Sequence, residues 1–259
     1  MPLILKQVDG ALGVITLNNI EKRNCLSAVL IREFCDALDE FENSGVRVVI
    51  LRAAPGIKVW SAGYDVNELP LPGRDPLAYA APFEHLLRRV QSFPGPVIAM
   101  IEGSVWGGGC DLALTCDLLI GSETSSFTVT PAKIGVPYTA SGMIHFINIL
   151  GLNKAKEMFF TASPINATDA LKAGILNHLV ATPDLERFTR ELANKILQNA
   201  PLAVKAFKKQ FTLLSKGHSI DAETAEEIQA YRRIVYDSED YGEGIRAFHE
   251  KRPPRFKGK

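Results

Sequence analysis

Three consecutive glycines, Gly107 to Gly109, are the residues of this sequence best suited to chemistry at the main chain. They precede a helix-like segment, Cys110 to Thr115. Glycines at a helix start expose backbone N–H groups at the positive end of the helix dipole, where negative charge can develop. We therefore predict an oxyanion hole. Tight packing of the helix against a sheet is the alternative, and the spacings of nucleotide phosphate loops do not occur here.

A second turn that could take part in chemistry runs from Trp60 to Asp65, after a predicted strand and before a predicted short helix. Gly63 would let the backbone approach a ligand closely, and Asp65 can cap the following turn. On these residues alone, an ordinary strand-to-helix turn that requires glycine is the favoured interpretation.

The elements that must position these two turns are those of an α/β protein. Segments Leu3 to Gln7 and Leu12 to Leu17 flank an Asp9-Gly10 turn signal and predict an N-terminal β-hairpin. Ser27 can cap a helix that extends through Glu42, ahead of a buried strand at Val46 to Leu51. The other predicted strands are Val97 to Ile101, Leu118 to Ile120, Ser126 to Val129 and Gly174 to Val180, and the other predicted core helices are Asn153 to Thr161 and Ala167 to Ala173.

Strand signals end near Asp184, and the chain continues as three predicted amphipathic helices. These are Leu185 to Leu197, Leu202 to Leu214 and Ala222 to Tyr236. We place a boundary near Ala200, so that residues 1–199 form the core and residues 200–259 form a C-terminal helical region.

Composition excludes several classes of function. Lys plus Arg and Asp plus Glu number 29 each, so no global charge attracts nucleic acid or an anionic membrane. The apolar runs are shorter than the roughly 20 residues of a spanning helix, and no secretory leader is recognised. The four cysteines form no metal-ligand pairing with histidine, and we interpret His85, His145, His178, His218 and His249 as structural. We expect a reduced, cytoplasmic protein without a metal site.

Several motifs, in one order, resemble the crotonase (enoyl-CoA hydratase/isomerase) superfamily over essentially the whole chain. They are Lys22 to Leu26, the Ser-Ala-Gly-x-Asp turn, the Gly-x-x-x-Gly-Gly-Gly-Cys-Asp-Leu-Ala run, Cys116-Asp117, Thr161 to Ile165, Ala173 to Leu176 and Glu243 to Arg252. The resemblance implies a spiral core of ββα units, a helical C-terminal trimerisation region and a homotrimer or dimer of trimers. It also implies an acyl-CoA substrate, with coenzyme A as part of the substrate and no separate cofactor.

The resemblance assigns roles to particular residues. The two oxyanion-hole amides correspond to Tyr64 and Gly108, and the large Tyr64 side chain does not remove the hole because the donors are main-chain N–H groups. The turn around Ala62, Gly63 and Asp65 would bind the substrate, with the adenine amine near the Ala62 carbonyl. Coenzyme A would also meet Phe248 and Lys251, from this or a neighbouring subunit, while Lys22 and Arg23 are weaker candidates.

Two departures from the family pattern bear on the reaction. Hydratases of this family use two glutamates, and their positions are occupied here by Asp111 and Pro131. Proline cannot act as an acid or base, which disfavours hydration and double-bond isomerisation. Decarboxylation of a malonyl-type thioester needs no base, because breaking the C–C bond itself leaves the enolate. The hydroxyls of Thr130 and Tyr138 could orient the leaving carboxylate.

The segments Gly103 to Gly108, Gly73 to Leu77, Thr128 to Tyr138 and Tyr236 to Tyr241 resemble the methylmalonyl-CoA decarboxylase branch of the superfamily. That resemblance implies a pocket role for Tyr138. Members often have histidine at the position of Tyr64 and glutamate at that of Asp111, so the substrate's alkyl group stays open. Two alternatives also remain: a hydratase or isomerase with Asp111 as its base, and a CoA-binding scaffold without activity, with RNA binding as a rare variant.

Overall fold

The computed structural model describes residues 1–215 and 222–258. The strands are β1 (Ile4–Asp9), β2 (Leu12–Leu17), β3 (Val48–Ala53), β4 (Val59–Ser61), β5 (Val97–Ile101), β6 (Ser104–Trp106), β7 (Leu118–Ser122), β8 (Ser126–Thr128), β9 (Ile165–Asn166) and β10 (His178–Val180). The helices are α1 (Ala28–Asn43), α2 (Pro82–Ser92), α3 (Gly108–Thr115), α4 (Ala140–Thr161), α5 (Ala167–Lys172), α6 (Leu185–Leu197), α7 (Pro201–Leu214), α8 (Ala222–Tyr236) and α9 (Glu239–His249). None of these helices combines the length and apolar character needed to cross a membrane.

The strands form two sheets. The larger sheet has the order β1-β2-β3-β5-β7-β10, and the smaller sheet has the order β4-β6-β8-β9. Along the chain, three strands of the larger sheet are each followed by a strand of the smaller sheet and then by a helix: β3-β4-α2, β5-β6-α3 and β7-β8-α4. This repeated ββα unit confirms the predicted α/β class and the spiral core.

Both faces of the larger sheet are buried at its central strands β3 and β5. Because alternate residues of a strand point to opposite faces, β3 contributes Val49 and Leu51 to one core and Val48 and Ile50 to another. The first core lies against α1, α2 and the smaller sheet, and the second lies under α6. Burial on both faces explains why β3 and β5 are continuous apolar runs in the sequence.

Most predicted elements agree with the structure. The N-terminal hairpin is confirmed, and the Ser27 side chain accepts a hydrogen bond from the N–H of Leu30 at the start of α1. The strand predicted from Gly174 is wrong in its first half, because Gly174 has a φ of +81° and Ile175 turns back to the Ala170 carbonyl. Helices α2 and α9 were not predicted from the sequence pattern.

The predicted boundary near residue 200 falls between α6, which packs on the larger sheet, and α7. Helix α7 is anchored by Lys208, whose ammonium group donates to the Val90 and Gly95 carbonyls and lies 2.7 Å from an Asp117 oxygen. His218, which was interpreted as structural, lies between the predicted helices and outside the described residues. The division into two regions stays a prediction.

Candidate active site

A cavity of about 710 Å³ opens beside the two glycine-containing turns. Seven of the predicted site residues line it: Ala62, Tyr64, Asp65, Gly108, Thr130, Tyr138 and Phe248. Gly63, Asp111 and Lys251 are not among the lining residues. The structure therefore brings together residues that are nearly 190 positions apart in sequence, from Ala62 to Phe248, while Asp111 lies behind the cavity wall.

The first turn holds the backbone at Tyr64. Gly63 has a φ of +85°, and a Cβ at this position would lie 2.5 Å from the Trp106 carbonyl oxygen. On either side of Tyr64, the N–H of Leu26 donates to Gly63 and the N–H of Asp65 donates to Leu26. This parallel bridge uses the groups next to Tyr64, and the Tyr64 N–H has no protein acceptor among the described residues.

The second turn places Gly108 as the first residue of α3, where a helix leaves N–H groups unpaired. The N–H of Gly107 donates to the Thr128 carbonyl, which fixes the turn against β8. A Cβ on Gly108 would lie 3.2 Å from the Tyr64 nitrogen, and a Cβ on Gly63 would lie 2.9 Å from the Gly108 nitrogen. The two amides are thus neighbours in the cavity wall, which is the arrangement of an oxyanion hole.

The loop from Thr130 to Tyr138 forms another part of the wall. The loop begins with a 3₁₀ turn at Pro131–Ile134. This turn ends at Gly135, which has a φ of +65° and packs against the backbone of Asp240. Both Thr130 and Pro131 line the cavity, so no carboxylate occupies the position of Pro131.

The Tyr138 ring is fixed by aromatic packing. It packs edge-to-face against Phe146 and Phe159, with centroid distances of 6.1 Å and 5.0 Å. Its hydroxyl oxygen is buried and has no hydrogen-bond partner among the described residues. Burial, together with the negative charge of Asp111, raises the pKa of Tyr138 well above its ordinary value, so the group is a neutral hydroxyl.

Three ionisable groups lie behind this wall. Asp111 is 1% exposed, and its Oδ1 lies 3.4 Å from Nδ1 of His145 on α4. Glu84 on α2 is also buried, and its Oε1 has no partner among the described residues. Burial, with Asp111 as the second cause, raises the pKa of Glu84. Within the described part of the chain, no group of three or more His, Cys, Asp or Glu residues is arranged to hold a metal ion.

The basic side chains at the cavity are Lys22, Arg23 and Lys133. Lys251 follows α9 with a φ of +53° and does not line the cavity in this single chain, whereas Phe248 does. The two side chains that the sequence ranked lower for coenzyme A, Lys22 and Arg23, are therefore nearer to the cavity of this chain than Lys251.

The chain matches the family described as Enoyl-CoA hydratase/isomerase over residues 7–259. The chain belongs to the enoyl-CoA hydratase/isomerase family. The predicted resemblance to the crotonase superfamily is thereby confirmed, and family membership explains the ββα spiral.

Within this family, the chain is 46% identical over 246 residues to methylmalonyl-CoA decarboxylase of Escherichia coli (strain K12), covering 95% of this chain and 94% of the relative. It is 30% identical over 255 residues to short-chain-enoyl-CoA hydratase of Clostridium acetobutylicum, covering 96% and 95%. A crystal structure of methylmalonyl-CoA decarboxylase complexed with 2S-carboxypropyl CoA has a TM-score of 0.97 at 44% identity and covers 100% of this chain and 99% of that chain. The chain is thus more similar to the decarboxylase than to the hydratase.

Sequence reasoning missed several residues of this enoyl-CoA hydratase/isomerase site. Phe83, Trp106 and Lys133 line the cavity, and Phe83 packs edge-to-face on Tyr64 at 5.9 Å. His145 was interpreted as structural, yet it contacts Asp111. The helical spacing of Phe83, Leu86, Leu87 and Val90 could have revealed α2, but no sequence pattern shows that α2 and α4 meet α3 at Asp111.

Proposed function

We propose that this chain is an acyl-CoA decarboxylase, a carbon–carbon lyase that converts methylmalonyl-CoA, or a related 2-alkylmalonyl-CoA, to the shorter acyl-CoA and CO2. The observation that carries the proposal is one cavity wall that holds the Tyr64 and Gly108 amides, which have no acceptor among the described residues, beside Thr130, Pro131 and Tyr138. Such a wall offers donors to an enolate and neutral hydroxyls to a carboxylate, but has no base at Pro131. The 46% identity to the Escherichia coli decarboxylase supports the same reaction.

The reaction follows from these groups. The thioester oxygen binds between the N–H groups of Tyr64 and Gly108, while Tyr138 and Thr130 hold the carboxylate out of the thioester plane. The bond between the α-carbon and the carboxylate carbon then breaks, CO2 leaves, and the electron pair passes to the thioester as an enolate. The two amides stabilise the new oxyanion, and each such donor contributes about 10²–10³-fold to the rate. The α-carbon finally takes up one proton.

Incubation of the purified protein with malonyl-, methylmalonyl- and ethylmalonyl-CoA tests the proposal. We expect propionyl-CoA and CO2 from methylmalonyl-CoA without added metal or biotin, since coenzyme A is part of the substrate and no separate cofactor is required. Absence of CO2 release from all three thioesters would overturn the proposal.

A hydratase or isomerase with Asp111 as its base is the second candidate, favoured by the 30% identity to the Clostridium acetobutylicum hydratase. Its weakness is the position of Asp111, which is 1% exposed and does not line the cavity. Hydration of crotonyl-CoA in the same assay, abolished by Asp111→Asn, would support it. Binding of acyl-CoAs without any turnover would instead favour a CoA-binding scaffold.

We also propose that the C-terminal helical region assembles the chain into a homotrimer or a dimer of trimers. Helix α7 exposes large apolar side chains that a subunit interface would bury. They are Leu202, Phe207, Phe211 and Leu214. In such an assembly, Lys251 and Phe248 could approach the coenzyme A of a neighbouring subunit. Light scattering tests the subunit number, and a monomer at micromolar concentration would contradict it.

For coenzyme A binding, we propose the Ala62 carbonyl for the adenine amine and the turn at Gly63 and Asp65 for the pantetheine end.

We propose a cytoplasmic location, supported by four buried, free cysteines. Cell fractionation tests the location.

A further inference from the structure

A buried ionic cluster lies behind the cavity wall, formed by Glu84 on α2, Asp111 on α3 and His145 on α4, and none of the three lines the cavity. Asp111 and the Tyr138 ring both lie against Gly142: a Cβ there would be 2.9 Å from Oδ2 of Asp111 and 2.5 Å from the ring of Tyr138. The cluster therefore contacts the wall at the residue proposed to hold the substrate carboxylate.

The two carboxyl groups of the cluster lie in different electrostatic surroundings. Two buried carboxyl groups that lie close together do not both ionise readily. Asp111 is in the first turn of α3, where the helix dipole favours a negative charge, whereas Glu84 is a buried carboxyl group on α2. Burial and then the negative charge of Asp111 raise the pKa of Glu84, so Glu84 holds a proton more readily than an ordinary carboxyl group.

His145 carries a proton toward Asp111. The Gln91 side-chain nitrogen lies 2.8 Å from Nε2 of His145 and can only donate, so Nε2 accepts. The imidazole proton is therefore on Nδ1, which faces Oδ1 of Asp111 at 3.4 Å. His145 thus supplies a hydrogen-bond donor to Asp111 from the side away from the cavity.

Without the hydrogen bond from His145, the Asp111 carboxylate would interact more strongly with the Tyr138 hydroxyl. A buried anion next to the hydroxyl would accept its hydrogen, and it would also repel a substrate carboxylate. Among the described residues, the Tyr138 hydroxyl has no partner in full hydrogen-bond geometry, although the Asp111 carboxylate is close enough to raise its pKa and a buried hydroxyl normally has a partner. A ligand carboxylate that reached this hydroxyl would complete its hydrogen bonding.

We propose that His145 is a positioning residue, which holds Asp111 from behind and so keeps the Tyr138 hydroxyl available to a substrate carboxylate. The inference rests on the proposed decarboxylase function and adds a role for Asp111, as the partner of His145 and not as a base. The other charged side chains around the cluster are Arg88 and Arg232, which lower the pKa of Glu84.

The test measures preference for a carboxylate by binding alone. Isothermal titration gives the dissociation constants of 2-carboxypropyl-CoA and propionyl-CoA, and their ratio reports the contribution of the carboxylate. His145→Asn and His145→Gln are a matched pair, because the Asn amide falls near the Nδ1 position and the Gln amide near Nε2. We expect His145→Gln and His145→Leu to reduce the preference about 10-fold, the cost of one hydrogen bond to a charged group, and His145→Asn to retain most of it.

A double variant tests whether His145 acts through Asp111. In Asp111→Asn the charge is absent, so adding His145→Leu should reduce the preference further by less than about twofold. An equal loss in both backgrounds, or equal preferences for His145→Asn and His145→Gln, would overturn the inference. His85→Leu, on the exposed face of α2, is the control and should match the wild type. Because binding is measured without turnover, failure of the decarboxylase proposal appears separately, as absence of CO2 release by the wild type.

Discussion

The oxyanion side of the cavity (Gly63, Tyr64, Gly107 and Gly108) uses main-chain groups, whereas the carboxylate side (Thr130, Pro131 and Tyr138) uses side chains. Main-chain donors on the oxyanion side are fixed by the pairing of β4, β6 and β8 and by turns that have no room for a Cβ. Tyr138, on the carboxylate side, depends on aromatic packing and on ionisable groups behind it. The oxyanion side should therefore tolerate changes of side chain but not changes of backbone geometry. The carboxylate side should be more sensitive to changes of side chain than to changes of backbone geometry.

The largest expected effect comes from Gly63→Ala. The new Cβ would clash with the Trp106 carbonyl and the Gly108 nitrogen, displacing one oxyanion donor. We expect kcat for methylmalonyl-CoA to fall about 10²–10³-fold, measured as CO2 release. Gly56→Ala is the matched control, because Gly56 also has a positive φ (+76°) but nothing lies within 4 Å of its Cβ position. Equal losses in the two variants would show that backbone strain alone is responsible.

A smaller effect is expected for Tyr138→Phe, which removes only the hydroxyl on the carboxylate side. Loss of one hydrogen bond to a charged group should lower kcat about 10- to 100-fold. Affinity for propionyl-CoA, which has no carboxylate, should change much less. Tyr231→Phe, at an exposed tyrosine of α8, is the control. Equal losses of turnover and of propionyl-CoA affinity would contradict an orienting role.

Tyr64→Ala sharpens the comparison, because it changes a side chain on the side that uses the main chain. The N–H donor is retained, so CO2 release should persist, but removal of the ring that packs on Phe83 enlarges the cavity. We expect the ratio of kcat/KM for ethylmalonyl-CoA to that for methylmalonyl-CoA to rise about 10-fold, the effect of one methylene in an apolar pocket. Tyr79→Ala, exposed and outside the cavity, should leave the ratio unchanged. Complete loss of activity in Tyr64→Ala would mean that the side chain, too, is required.

The smallest effect concerns stability. The pKa of Glu84 is higher in the folded state than in the unfolded state, so folding favours the protonated carboxyl group. The free energy of unfolding therefore falls as the pH rises above the ordinary carboxyl pKa, until the pH passes the raised pKa of the folded state. Glu84→Gln does not titrate. Its Tm should therefore increase relative to the wild type as the pH rises from about 4 to 7, measured by thermal unfolding. Glu227→Gln, exposed on α8, is the control, and a parallel pH dependence of all three proteins would contradict the prediction.

Much of the fold could be predicted from local patterns. Apolar runs predicted β3, β5 and β7, and the apolar spacing predicted α6 and α8, because each pattern has the period of its own element. The first half of the Gly174 to Val180 segment was wrong for a related reason: a short apolar run is compatible with a buried turn as well as with a strand. Helix α2 was missed although its apolar spacing is helical.

The site, too, could be predicted only in part from the sequence. Glycine chemistry predicted an oxyanion hole at Gly107 to Gly109 from the residues alone, and the likeness to known family motifs assigned its amides to Tyr64 and Gly108 and supplied Tyr138. The Trp60 to Asp65 turn alone favoured an ordinary turn, since nothing local shows that β4 pairs with β6 and brings Tyr64 beside Gly108.

The sequence by itself determined the glycine turns, the absence of a base at Pro131 and the order of most elements. Only the tertiary structure decided that Asp111 does not line the cavity and meets His145, and that its charge acts on Glu84. The physical reason is that periodicity specifies which face of a helix is buried, but not which helix covers it. Polar residues on buried faces, such as Glu84 and Asp111, acquire their charge states only from the neighbours that packing provides.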